Sequence, residues 1–161
     1  MLIAFLRHGI AEDAGPATGH RDAPRRLTDE GRARMTRAAR GMERLGLGPD
    51  VILTSPLARC RETAEIVAAR LGAPVRPVQA LQPGARLEGL LGHLAEYPDA
   101  VCVLACGHQP DLSLMVADLI GGGAVEFRRG TLALVEVSAP RAAGGVLVAL
   151  HPPRALRRLA G

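Results

Sequence analysis

Leu2-Ile3-Ala4-Phe5-Leu6-Arg7-His8-Gly9 is a continuous apolar run that ends in a cation, a histidine and a glycine. Apolar residues that do not alternate with polar ones predict a strand buried on both faces, as in a parallel sheet covered by helices. The runs Val51–Leu53 and Val101–Ala105 have the same character. Polar residues follow each of the three runs. The runs that predict the fold therefore also predict that a functional site lies where these strands end.

Segments with helical periodicity separate these strands. Thr28 is a predicted N-cap, with Asp29 and Glu30 in the first turn, where the helix dipole favours anions. Ser55 is a second predicted N-cap, with Pro56 at the first helical position. Both helices therefore begin directly beyond a polar loop or a strand end.

The remaining elements complete the alternation of strands and helices. Helices are predicted after Pro83-Gly84 and over Met115–Ile120, and strands over Val75–Val78, Leu132–Val137 and Val146–Leu150. The last two strands are expected to be antiparallel because few residues separate them. The pattern predicts a three-layer α/β/α sandwich with a mostly parallel, doubly wound sheet, and a single domain over residues 1–161.

The charge of the chain is concentrated in one segment. The 161 residues carry a formal net charge of +4, and all 20 basic residues are arginine. Residues 21–44 hold eight arginines and four acidic residues, so the whole excess lies there. Aromatic residues make up only 2% of the chain, too few to stack nucleic-acid bases, and we predict no nucleic-acid partner. We interpret the basic segment as a solvated helix face.

Composition also indicates where the protein is located in the cell and whether it binds a metal ion. No apolar run approaches the roughly 18 residues of a membrane span, and no basic stretch precedes the first run, so neither a membrane segment nor a signal peptide is predicted. Three cysteines, Cys60, Cys102 and Cys106, are too few for a disulfide scaffold and favour a cytoplasmic setting. Cys102, Cys106 and His108 suggest a metal site, but the two cysteines would lie roughly 13 Å apart on an extended strand. We interpret the cysteines as buried thiols and predict no metal and no cofactor.

Ligands of open α/β sheets bind beyond the carboxyl ends of the strands, and there the chain places two histidines and two arginines. They are Arg7 and His8 after the first strand, Arg59 in the helix after the second, and His108 after a later one. Arginine offers a planar fork of donors that matches phosphate oxygens. A neutral histidine accepts a phosphoryl group on a ring nitrogen and releases it to water. The set predicts phosphoryl transfer, with one histidine as nucleophile and the other as a hydrogen-bonding group.

Four segments, in this order, resemble the histidine phosphatase superfamily, the phosphoglycerate mutase-like proteins. They are Arg7-His8-Gly9, Leu27-Thr28-x-x-Gly31, Ser55-Pro56-x-x-Arg59-x-x-x-Thr63 and Gly107-His108-x-Pro110. The match spans most of the chain. It implies the phosphoglycerate mutase-like fold, with His8 as the phosphorylated nucleophile and Arg7, Arg59 and His108 completing the phosphate pocket. Gly9, Gly107 and Ser55 are assigned to substrate binding beside them.

The short chain points to one branch of this family. Larger members carry a carboxylate proton donor after the third strand, where this chain reads Leu81-Gln82-Pro83-Gly84-Ala85. The chain looks like the compact SixA-type phosphohistidine phosphatases, which also lack an obvious donor. An imidazole leaving group on a labile P–N bond needs less help from an acid than an alkoxide does. In that branch an arginine borders the pocket; Arg25 is the better match here, and Arg26 stands where the family usually has proline.

Two other functions stay open. One is a phosphatase of small phosphomonoesters that uses Glu12, Asp13 or Glu88 as proton donor. The other is a non-catalytic phosphate-binding regulatory module, which the intact set of His8, His108 and two arginines argues against. We therefore expect a metal-independent hydrolase, monomeric or a weak homodimer. Its expected partner is a phosphorylated histidine-containing protein or a small phosphorylated substrate.

Overall fold

Six strands form one central sheet in the computed structural model, which describes all 161 residues. The strands are β1 (Leu2–Arg7), β2 (Val51–Thr54), β3 (Val75–Pro77), β4 (Cys102–Gly107), β5 (Leu132–Val137) and β6 (Gly145–His151). Their spatial order is β3-β2-β4-β1-β5-β6. The first four strands pair in parallel, and β5 is antiparallel to both of its neighbours, β1 and β6. The predicted sheet, mostly parallel with an antiparallel final pair, is confirmed.

Five helices cover the two faces of this sheet. They are α1 (Asp29–Arg44), α2 (Ala58–Leu71), α3 (Leu87–Leu94), α4 (Asp111–Ile120) and α5 (Pro153–Leu159). The first, second and fifth pack on one face, and the third and fourth on the other. The predicted three-layer α/β/α sandwich is therefore confirmed. No helix is long and apolar enough to cross a membrane.

The alternation of side chains along β1 explains why its sequence is apolar throughout. Ile3 and Phe5 belong to the core beneath α3 and α4, whereas Ala4 and Leu6 belong to the core beneath α1, α2 and α5. All four side chains are fully buried. A central strand between two helical layers has no solvent-facing side, so every position selects an apolar residue.

Of the two predicted helix starts, the one at Thr28 is confirmed and the one at Ser55 is wrong. Thr28 caps α1 as predicted, and its hydroxyl accepts a hydrogen bond from the Gly31 backbone N–H. The prediction that Ser55 caps α2, with Pro56 at its first position, is wrong, because the helix begins at Ala58 and its N-cap is Leu57. The Ser55 backbone N–H still donates to the Cys106 carbonyl at 3.0 Å, so the chain stays paired with β4 for one residue beyond β2.

Candidate active site

The candidate site lies beyond the carboxyl ends of β1, β4 and β2, which are adjacent and parallel in the sheet. Arg7 at the end of β1 is in register with Gly107 at the end of β4, and Thr54 at the end of β2 is in register with Cys106. The residues that follow these ends therefore meet at one edge of the sheet. His8, Ser55 and His108 are three of them, as the sequence predicts.

His8 is held with one ring nitrogen facing its own backbone and the other facing the pocket. Its Nδ1–H donates to the Gly9 carbonyl at 2.7 Å, which leaves Nε2 as the nitrogen with the free lone pair. The Arg59 Nε–H points at this Nε2 over 3.3 Å, a long and therefore weak hydrogen bond. The His8 backbone N–H donates to the Gly107 carbonyl at 3.2 Å and fixes the residue to β4.

The surroundings of His8 keep its imidazole neutral. Burial is the main cause that lowers its pKa to about 3, and the charges of Arg59, His108 and Arg7 lower it further, while the hydrogen bond to Gly9 opposes them. A neutral ring with an unprotonated Nε2 is the form in which histidine acts as a nucleophile.

Arg59 connects the two histidines to the loop that precedes α1. Its Nη2 lies 3.3 Å from His108 Nδ1 and donates to Asp22 Oδ2 at 2.8 Å, and its Nη1 donates to the Asp22 carbonyl at 3.0 Å. Thr63, one turn further along α2, donates to the Arg59 carbonyl at 2.7 Å and accepts from the Gly9 backbone N–H at 3.1 Å. Arg59 is thus fixed by contacts at both its backbone and its guanidinium.

His108 is oriented by Ser55 and Arg59. Since the Arg59 guanidinium donates to Nδ1, the Nε2–H of His108 donates to the Ser55 hydroxyl at 2.8 Å. The rings of His8 and His108 are tilted by 59°, with their centroids 5.4 Å apart. At this spacing the two rings are in direct contact as a tilted pair.

A cavity of about 260 Å³ opens over these side chains. Four arginines, two histidines and a single carboxylate line it, with Pro83 and Gln109 at its margin; these charged and ring side chains are Arg7, Arg25, Arg59, Arg129, His8, His108 and Asp22. The Nη1 of Arg7 donates to the Phe127 carbonyl at 2.7 Å, and its buried Nε has no partner. Burial, and then the charge of Arg129, lowers the pKa of Arg7 below its usual high value. The concentration of guanidinium groups makes this a pocket for a small anion.

Asp22 and Arg129 belong to this pocket and were missed by the sequence reasoning. Asp22 comes from the irregular segment between β1 and α1, and forms ion pairs of 2.8 Å with both Arg25 and Arg59. Partial burial would raise the pKa of its carboxyl group, but the hydrogen bonds from Arg25 and Arg59 outweigh that and lower it. The carboxylate is therefore ionised and acts as a hydrogen-bond acceptor.

Arg129 had a sequence signal that could have been used. It lies three residues before the start of β5 at Leu132. Because β5 runs antiparallel to β1, its amino end lies at the same edge as the carboxyl end of β1, with Leu132 in register with Leu6. Residues just before an antiparallel strand are thus candidates for the same site as residues just after a parallel one.

The other predicted substrate-binding residues have separate positions. Arg25 lines the cavity, whereas Arg26 is exposed and pairs with Glu62 at 3.8 Å. Gly9, Gly107 and Ser55 lie behind the cavity wall, where they hydrogen-bond His8 or His108. Their direct contact with substrate stays a prediction.

None of the three candidate proton donors lines the cavity. Glu12 and Asp13 are exposed residues of the segment that follows β1. Glu88 lies on α3 beside a different cavity of about 620 Å³. The only carboxylate that lines the cavity with His8 and His108 is therefore the ion-paired Asp22.

All three cysteines are buried free thiols. Cys60 lies under the pocket, with its Sγ 3.5 Å from His108 Nε2. Cys102 is remote from it, at the start of β4. No group of three or more His, Cys, Asp or Glu side chains is placed to hold a metal ion.

Comparison with known proteins agrees with this geometry. The sequence model of the histidine phosphatase superfamily (branch 1) matches residues 3–90. An uncharacterised protein from Picosynechococcus sp. is 45% identical over 116 residues, which are 70% of this chain and 68% of that protein.

Solved structures share the fold over nearly the full length. The protein histidine phosphatase SixA in complex with tungstate has a TM-score of 0.86 and 23% identity, covering 97% of this chain and 99% of that one. A putative phosphohistidine phosphatase SixA from Agrobacterium tumefaciens has a TM-score of 0.77 and 26% identity, covering 92% and 96%. With the matched family model and the strand-end histidines and arginines, these likenesses place the chain in the histidine phosphatase superfamily, to which it belongs.

Proposed function

We propose that this protein is a phosphatase that works through a covalent phosphohistidine on His8, and that its substrate is phosphohistidine on a protein. The Nε2 of His8 is the nucleophile, since its lone pair faces the pocket and its ring is neutral. Arg7, Arg59 and Arg129 neutralise the phosphoryl oxygens. His108 stays held at Nε2 by Ser55 and donates from Nδ1 to the group in transfer, in its other tautomer, whose Nε2 accepts a hydrogen bond from the Ser55 hydroxyl.

The reaction has two displacements at phosphorus. In the first, His8 Nε2 forms a bond to phosphorus while the P–N bond of the substrate breaks, and the electron pair leaves with the substrate imidazole. The weak 3.3 Å contact from Arg59 Nε to Nε2 is exchanged for one to a phosphoryl oxygen. In the second, water attacks phosphorus, the P–N bond to His8 breaks, and Nε2 recovers its lone pair; the proton lost by the water passes to the released phosphate or to solvent.

The observation that carries this proposal is the lack of an available acid in the pocket. Asp22, its single carboxylate, is ionised and paired with two arginines. An alkoxide leaving group needs a proton in the transition state, whereas an imidazole on a labile P–N bond depends on one much less. When the phosphoryl group moves from the substrate imidazole to His8, one P–N bond breaks and another P–N bond of the same type forms. The free energies of the two phosphohistidines are therefore similar, and the transfer to His8 is not strongly uphill. The structural likeness to the putative phosphohistidine phosphatase from Agrobacterium tumefaciens supports the same substrate.

The proposed mechanism is independent of metal ions because arginine side chains supply the positive charge. Arg7, Arg59 and Arg129 keep their charge at any physiological pH, so charge neutralisation does not depend on a dissociable ion. Phosphate release is therefore expected to be unchanged when EDTA replaces Mg²⁺ in the assay.

The test compares wild type with His8→Ala, and with His93→Ala as a matched control on α3 outside the pocket. Each is incubated with a radiolabelled histidine-phosphorylated protein, with phosphoramidate and with an aryl phosphate. We expect wild type and His93→Ala to release phosphate from the first two, and to trap an acid-labile, alkali-stable label that His8→Ala lacks. Hydrolysis by His8→Ala at the wild-type rate would refute the mechanism.

Two outcomes would instead support the alternatives. Faster turnover of the aryl phosphate than of phosphoramidate, lost on replacing Glu12, Asp13 or Glu88, would identify a phosphomonoester phosphatase. Binding of phosphate without turnover of any substrate, and without a trapped label, would identify a non-catalytic binding module.

A further inference from the structure

A second, larger cavity of about 590 Å³ lies beside the proposed catalytic pocket, between α1, α5 and the segment before β5. Six arginines line it: Arg7, Arg34, Arg128, Arg129, Arg154 and Arg157. We call this surface the arginine groove. The proposed function leaves most of these residues unused.

The positive charge of the arginine groove is largely uncompensated. Arg34 pairs with Glu30, and Arg128 pairs with Glu126 at 3.2 Å. Arg7, Arg129, Arg154 and Arg157 have no carboxylate within ion-pair distance. Burial lowers the pKa of Arg157, and so do the charges of Arg34, Arg37 and Arg154. Arginines that repel one another across a concave surface provide a site for a polyanion.

The arginine groove adjoins the catalytic pocket. Arg7 and Arg129 line both cavities, so these two residues form the boundary between them. A molecule whose terminal phosphoryl group lies against His8 therefore extends past these two residues toward Arg154 and Arg157.

The lining of the arginine groove favours a small polyanion over a protein surface. Protein interfaces are centred on apolar and aromatic anchors, which are surrounded by polar residues. Met35 and Ala38 of the groove are buried, Ile10 is partly buried, and the exposed large apolar residues, such as Val101 and Val146, are not part of it. What the groove offers is a series of planar donor forks, which match successive phosphate groups.

The chemistry of the pocket points to the same class of molecule. A site without a proton donor requires a leaving group that departs without taking up a proton from the protein. A phosphate chain is such a group, because its terminal oxygen is far less basic than an alkoxide and its charge would be neutralised by the arginine groove.

We infer that this protein also hydrolyses condensed phosphates, with the terminal phosphoryl group at His8 and the rest of the chain in the arginine groove. The inference rests on the proposed role of His8 as nucleophile. The Nε2 of His8 bonds to the terminal phosphorus as the P–O bond to the next phosphate breaks, and the shortened chain leaves with the electron pair on oxygen. Water then cleaves the P–N bond, and its proton passes to the released phosphate or to solvent.

Inorganic tripolyphosphate, in buffer with EDTA, is the probe. Phosphate release from it is compared with release from phosphoramidate, which is too small to reach the arginine groove. The Arg154→Gln/Arg157→Gln double variant tests the groove. Arg158→Gln is the control for net charge, because it removes one charge, half of what the double variant removes, from an exposed position of α5 outside the groove.

We expect the wild type to hydrolyse tripolyphosphate and the double variant to lower its kcat/KM, relative to that for phosphoramidate, about tenfold or more. Arg158→Gln is expected to leave this ratio within about twofold, as for a screened exposed charge. Hydrolysis of phosphoramidate but not of tripolyphosphate would overturn the inference and leave the proposed function standing. Failure on phosphoramidate as well would overturn both.

Two further results would also contradict the inference. A ratio that falls equally in Arg158→Gln would show a general effect of net charge. A double variant that loses activity only on a phosphohistidine protein would show that the groove docks a protein instead.

Discussion

His8→Gln is expected to make the folded protein less sensitive to acid. In the unfolded chain His8 has its ordinary pKa of 6.5, whereas in the folded protein burial, Arg59, His108 and Arg7 lower the pKa to about 3. The unfolded state thus binds a proton that the folded state excludes. Stability from the neutral ring is fully present above pH 6.5 and is lost as the pH falls from there toward 3. The glutamine variant has no such proton to bind.

The size of the effect follows from these two pKa values. Each pKa unit corresponds to about 1.36 kcal/mol. At about pH 4.5 the unfolded His8 is almost fully protonated and the folded one almost fully neutral, so His8 alone removes about 2–3 kcal/mol of stability between about pH 7.5 and 4.5. The side chain is only 7% exposed, so solvent screening reduces this value little.

The assay is urea unfolding of wild type and His8→Gln at the two pH values. The difference between the proteins in their loss of stability isolates His8, because the other titrating groups are shared. His93→Gln, which changes a histidine on α3 outside the pocket, is the control. An equal loss of stability in wild type and His8→Gln, or an NMR titration of His8 with a midpoint near 6.5, would refute the reasoning.

Three shorter predictions concern the pocket and its support. Asp22→Asn is expected to lower the inhibition constant of inorganic phosphate about fivefold, since an ionised, half-exposed carboxylate on Arg59 repels the ligand by about 1 kcal/mol; a weaker inhibitor would contradict this. Gly9→Ala is expected to cost about 1–3 kcal/mol in urea unfolding, because its Cβ would lie 2.7 Å from Met35 Cγ. The control Gly48→Ala, which meets nothing within 4 Å, should unfold like wild type. Ser55→Ala is expected to lower kcat about tenfold with little change in KM, as the His108 ring loses its 2.8 Å partner; an unchanged kcat would show that Ser55 is dispensable.

The central part of the site could be predicted because it depends on rules that act locally. Apolar runs without alternation identify β1, β2 and β4 as buried parallel strands, and parallel strands end at one edge. His8, Ser55 and His108 follow those ends directly, so their meeting point needed no knowledge of the loops. The start of α2 was predicted too early because Ser55 continues the pairing with β4, a contact between residues far apart in sequence.

The residues that sequence reasoning missed lie on segments without periodicity. Asp22 sits between β1 and α1, where neither a helical nor a strand pattern limits its position. It reaches Arg59, 37 residues away, only because that segment folds back over the pocket. Arg129 is similar, since its place depends on the antiparallel pairing of β5 with β1.

The sequence by itself determined the layered fold, the edge of the sheet where the candidate site lies, and that His8, His108, Arg7 and Arg59 meet there. Only the tertiary structure decided the state of these groups: a neutral His8 with its Nε2 toward the pocket, an ionised Asp22 on Arg59, and arginines that continue into a second cavity. The physical reason is the separation in sequence of the groups that interact. Strand and helix patterns arise from neighbours along the chain, whereas burial and charge depend on every group that packs nearby, whatever its position in the sequence.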